Sequence, residues 1–165
     1  MNTSILDSME QSALGVWVAS SPAGYYIMLG FHAVGLAVLV GSVTVIDLSL
    51  LGFVRGISQR AMAGLVKFAW FGLFVNATSG VALFFSEANK AFYSWSFRLK
   101  ISLMVLGVIS TVILNRTVLL PARAGVANRS QANVKLQVFI SLALWMSVIV
   151  VGRLMSYLTE FTAHS

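Results

Sequence analysis

The sequence predicts an all-α integral membrane protein: a four-helix up-down bundle preceded by an N-terminal amphipathic interfacial helix. Three observations predict it. The chain of 165 residues is 58% hydrophobic and only 10% charged, where a soluble domain carries roughly a quarter charged residues. Its apolar residues gather into four runs, at about 25–49, 62–86, 97–120 and 134–158. Each is longer than the ~20 residues a helix needs to cross a hydrocarbon core of ~30 Å. The connections are short, so consecutive helices run antiparallel. The length suits a single membrane domain over residues 1–165.

The composition also excludes. There are no cysteines, so disulfides, thiolate metal sites and cysteine nucleophiles are absent. The formal charge of +6 does not point to nucleic acid. The basic residues sit at the ends of apolar runs rather than on one polar face, as a lipid bilayer requires of them.

The first stretch, "MNTSILDSMEQSALGVW", is not a secretory signal, which would begin with positive charge; it carries Asp7 and Glu10 instead. Ile5, Leu6, Met9, Ala13, Val16 and Trp17 recur at helical spacing. That spacing predicts a helix over 4–19 lying on the membrane surface, with Trp17 at the headgroups. A disordered tail is the alternative. "SSPAG" at 20–24 breaks the chain before the first span.

Orientation follows from the basic residues. Arg55, Arg60, Lys67, Arg116, Arg123, Arg129 and Lys135 lie near the first and third connections, with only Asp47 as an acid. Lys90, Arg98, Lys100 and Arg153 lie toward the other side, together with Asp7, Glu10, Glu87 and Glu160. The excess of basic residues puts the first and third connections in the cytoplasm. Both termini are then periplasmic in a bacterial inner membrane. The aromatic run "AFYSW" at 91–95 suits an outer interfacial belt.

Polar residues inside the spans are the candidates for chemistry. "GFHAVGLAVLVGSVTVIDLSLLGF", residues 30–53, holds His32 and Asp47. Fifteen residues on one helix separate them by about 22 Å along its axis and about 60° around it. Asp47, near the cytoplasmic end, is within reach of Arg55, Lys67 or Arg116. An ion pair is expected there because an unpaired acid is costly, with a proton relay as the alternative. His32 lies at about the depth of Asn76 on the second span. Lys100 begins the third span and Arg153 closes the fourth, so every span sends a polar group toward the outer half of the bundle.

This largely cationic set suits a ligand that brings negative charge. Heme b is one candidate. His32 would bind the iron as its metal ligand, Arg153 and Lys100 would meet the propionates, with Arg98 a further cation, and Asn76 would hydrogen-bond nearby. Gly35 beside Phe31 and His32 offers room for the ring. His32 is the only span histidine, so a second axial ligand would come from His164 in the tail, from Met104 or from another subunit, or be absent. The competing reading is that His32 simply hydrogen-bonds to the helix of Asn76.

Small residues predict where helices meet. Gly72, Asn76 and Gly80 recur at four-residue spacing on the second span, and Ala33, Ala37 and Gly41 on the first. A homo-oligomer through such a face is an option. Other chemistries lack their residues. There is no glycine-rich phosphate loop, no pair of carboxylates in one span and no histidine cluster at metal-ligand spacing.

The order of motifs is "ASSPAGYYIMLGFHAVGLAVLVGSVTVIDLSLLG", then "TSGVALFF", a basic "FRLKISLMVLG" and "WMSVIVVGRLMSYL". It resembles a family of small bacterial inner-membrane proteins of unknown function. The matching positions are His32, Gly35, Gly41, Asp47, Leu48, Leu51, Gly52, Trp145, Gly152, Arg153 and Tyr157. Ser49 stands where that family often has arginine, so an Asp–Arg pair within the motif is lost. The family is distantly similar to copper-resistance-type and b-type cytochrome membrane bundles. The resemblance implies no activity, and whether the protein is an enzyme stays open. Three classes remain: a heme protein for electron transfer or sensing, a non-catalytic accessory subunit of a larger membrane complex, and a small transporter or channel.

Overall fold

The computed structural model describes residues 3–120 and 131–163. Among them every regular element is helical: α1 (Thr3–Glu10), α2 (Ala13–Ser20), α3 (Pro22–Leu51), α4 (Gln59–Ser86), α5 (Ala88–Tyr93), α6 (Trp95–Leu114) and α7 (Gln131–Ala163). A π-helical stretch, Asn115–Leu119, prolongs α6. Four segments, Pro22–Leu51, Arg60–Ser86, Trp95–Leu119 and Ala132–Arg153, are long and apolar enough to cross a membrane. The all-α class with four long helices is therefore the one observed.

The breaks have local causes. The predicted surface helix is two helices, because Ser12 both closes α1 and opens α2. Its hydroxyl donates to the Met9 carbonyl at 2.6 Å and accepts from the Gly15 amide at 3.1 Å, satisfying a helix-start N–H. Pro22 follows Ser21 as the first residue of α3, where its missing N–H costs nothing. At the far end Gly52 takes a φ of +87°. The Phe53 amide bonds the Leu48 carbonyl and the Gly52 amide bonds that of Ser49, each at 3.0 Å, a Schellman stop that needs glycine's freedom. The short α5 within the aromatic stretch was not expected from the sequence.

The chain forms two compact units. One comprises Met1–Ser42 and Val66–Ser94, the other Val43–Leu65 and Trp95–Ser165. In the first, α3 and α4 run antiparallel and touch backbone to backbone. A Cβ on Gly35 would stand 2.6 Å from the Asn76 amide nitrogen, and one on Gly72 2.5 Å from that of Leu39. Only glycine permits such an approach, which in lipid supplies packing that hydrophobicity does not. The small face predicted on α4 is the one used. That predicted on α3 is not: Ala33, Ala37 and Gly41 are exposed, and nothing stands within 4 Å of a Cβ built on Gly41. The buried stripe of α3 here is Gly35, Leu39 and Ser42. Its neighbour α4 presents its own glycine at Gly35, so that rotation of α3 gives the closest approach.

The N-terminal helices belong to this same unit. The α5 start has no side-chain cap of its own. Glu10 of α1 supplies one, accepting from the Asn89 amide at 2.8 Å and from Asn89 Nδ2 at 3.1 Å, while Asp7 accepts from Nδ2 at 2.8 Å. Leu6 and Ala88 are buried. The acids of this segment thus cap a helix as well as making it amphipathic.

In the second unit α6 and α7 run antiparallel. Trp145 is fully buried. Its ring lies 3.2 Å from where a Gly107 Cβ would be, and its Nε1 donates to Thr111 Oγ1 at 3.2 Å. One end of the pair is marked by Thr117 donating to Gln137 Oε1 at 3.5 Å. Toward the other end Gly152 sits by the Lys100 side chain. Across both units large apolar groups such as Tyr26, Phe74 and Trp95 are exposed while Ser42, Asn76, Ser79, Ser110 and Ser141 are buried. That distribution inverts the soluble pattern and fits a multi-pass membrane protein.

Candidate functional site: the His32–Asn76 pair

Within the first unit, His32 of α3 and Asn76 of α4 bond each other reciprocally. His32 Nδ1 lies 2.9 Å from the Asn76 carbonyl oxygen, and Asn76 Nδ2 donates to the His32 carbonyl at 2.8 Å. A carbonyl only accepts, so Nδ1 carries the proton and donates. The lone pair of the neutral ring is then on Nε2. Each carbonyl also belongs to its own helix and uses a second lone pair for the crossing bond. Ser79 adds its hydroxyl 3.4 Å from Nδ1 and donates to the Val75 carbonyl at 2.6 Å.

The ring needs space on α4, and Gly80 provides it. A Cβ there would come within 3.1 Å of His32 Cε1. Asn76 is only 1% exposed, and its Oδ1 is buried without a hydrogen-bond partner. The spacing "NATSG" brings Asn76, Ser79 and Gly80 to one face, one turn of α4. Sequence reasoning singled out Asn76 and Gly80 and missed Ser79, although that spacing carries it.

Of the predicted constellation, His32 and Asn76 are brought together. Lys100 and Arg153 belong to the second unit, where a Cβ on Gly152 would stand 3.9 Å from Lys100 Cε and Arg153 is exposed. The room expected beside Gly35 is filled by the α4 backbone. What remains on that flank is an apolar pocket of about 140 Å³ between Phe31, Val34 and Val38 of α3 and Phe71 and Val75 of α4. Among the described residues no three of His, Cys, Asp and Glu cluster as metal ligands do. Arg123, Arg129 and His164 lie outside the described residues, as do the side chains of Tyr157 and Glu160.

Asp47 corrects an expectation. It is fully buried, yet neither carboxylate oxygen has a hydrogen-bond partner. Arg55, Lys67 and Arg116, the expected partners, are exposed. Long basic side chains at helix ends reach outward to the polar surface. The short Asp47 side chain, four residues inside α3, cannot follow them.

These features define a small all-α protein whose membrane-length helices are fastened by backbone contact at glycines and by crossed polar bonds. The chain belongs to a family of unknown function (DUF6644), whose model matches residues 5–158. No curated protein and no solved structure matches it.

Proposed function

We propose that this chain is a multi-pass protein of a bacterial inner membrane, with periplasmic termini, that serves as a non-catalytic accessory subunit of a larger membrane assembly. The observation that supports this best is the reciprocal His32–Asn76 pair. The one histidine of the spans is engaged through Nδ1 in holding α3 to α4, a role interhelical polar groups commonly fill in lipid. Large apolar side chains standing exposed on all four long helices offer surface to lipid and to neighbouring helices alike.

A second reading, heme b bound by His32, draws on the same bond. An Nδ1–H held by a backbone carbonyl orients an imidazole and raises the basicity of Nε2, which is how ligating histidines are usually supported. One measurement separates the two. The absorption spectrum of protein purified from heme-replete cells, before and after added hemin, should show no Soret band if His32 is a fastener. A Soret band that disappears in His32→Ala would overturn that reading in favour of heme.

A further inference from the structure

We propose that Asp47 and Ser141 form a buried binding site for a small cation, H⁺ or Na⁺, independent of the His32–Asn76 pair. Both residues are 0% exposed. Ser141 of α7 is the polar neighbour of the Asp47 carboxyl, yet both carboxylate oxygens and Ser141 Oγ lack hydrogen-bond partners. Asn115 Oδ1, at the start of the π-helical stretch, is another buried oxygen without a partner. Thr111 faces Trp145 and Thr117 faces Gln137, a register that puts Asn115 at the level of Ser141. Such π segments recur at functional sites.

An ionised carboxylate buried without compensation costs far more than a helix contact returns. Positive charge must therefore accompany Asp47, and among the described residues no basic side chain of the protein supplies it. Besides Asp47 itself, the charged groups among the described side chains of this unit are Arg55 in the α3–α4 connection, Arg60 on α4, Arg98 and Lys100 on α6, Arg116 in the π stretch, and Lys135 and Arg153 on α7. All except Lys100 are exposed. Lys100 sits by Gly152, eleven residues or about 16 Å along α7 from Ser141. Oxygen atoms alone are what a proton or a hard monovalent cation takes. A proton would turn the carboxyl into a donor toward Ser141 Oγ, and sodium would be held by the carboxylate and hydroxyl oxygens.

Infrared spectroscopy of the full chain in phosphatidylcholine vesicles tests this. Asp7 and Asp47 are the only aspartates, so carboxyl-labelled aspartate marks two groups, and an Asp7→Asn chain identifies the band that belongs to Asp7. In sodium-free choline buffer at neutral pH, a proton site gives a labelled carboxylic-acid stretch, lost in Asp47→Asn and shifted in Ser141→Ala. A sodium site gives instead a carboxylate band that shifts when choline is replaced by sodium. A labelled Asp47 carboxylate that shows no acid band and does not respond to sodium would overturn the proposal. The labelled native chain carries that decision even if a variant fails to fold.

Discussion

His32 and Asn76 are fastened by two bonds of 2.9 and 2.8 Å, but crossed bonds in lipid are individually modest, about 0.6 kcal/mol on average and at most about 1.7. Each bond joins one side chain to the other residue's backbone, so His32→Phe and Asn76→Leu should each cost about 1 kcal/mol, nearly additively, by unfolding in mixed micelles. Two neutral single variants would remove the pair from the account of this contact. Glycine positions should separate sharply. Gly72→Ala forces apart two backbones, since its Cβ would lie 2.5 Å from the Leu39 nitrogen, and should cost roughly 1–3 kcal/mol. Gly41→Ala meets nothing within 4 Å and should be neutral or stabilise by up to about 1 kcal/mol. Thermal melts of the two variants in one detergent check the contrast.

At the scale of elements, the N-terminal helices and the α6–α7 pair make separate claims. Glu10 caps α5 from another helix, so Glu10→Ala with Asn89→Ala should release α1 without loosening the long helices. Hydrogen exchange should then rise over residues 3–10 and stay level over α3 and α4; an even rise everywhere would contradict a local cap. On α7, Trp145→Ala empties a fully buried site against Gly107 and Thr111. It should cost about 3–5 kcal/mol, whereas Trp145→Phe gives up the Thr111 bond and part of the ring.

For the whole molecule the question is direction across the bilayer. Four successive crossings of a bilayer would put the α3–α4 and α6–α7 connections on one side. The arginines and lysines near those connections then favour a cytoplasmic side for both. Reporter fusions at residues 58, 127 and 165 should give cytoplasmic signals from the first two and an exported signal from the last. The opposite pattern would invert the proposed topology and move His32 to the cytoplasmic half.

What the sequence by itself determined is local. Four helices, their approximate ends, the matched depth of His32 and Asn76 and the small face of α4 all follow from apolar run length and residue spacing along one chain. What only the tertiary structure decided is rotation and contact. Every face of a lipid-embedded helix is apolar, so spacing did not reveal that α3 turns Gly35 inward and leaves Ala33, Ala37 and Gly41 exposed. Nor did nearness in sequence decide the polar neighbour of Asp47, because the nearby bases are exposed while the carboxyl is buried. Glu10 meets Asn89, and Asp47 meets Ser141, only because distant segments fold to one place. A helix axis is written in composition, but the angle about that axis is chosen by the neighbour it packs against.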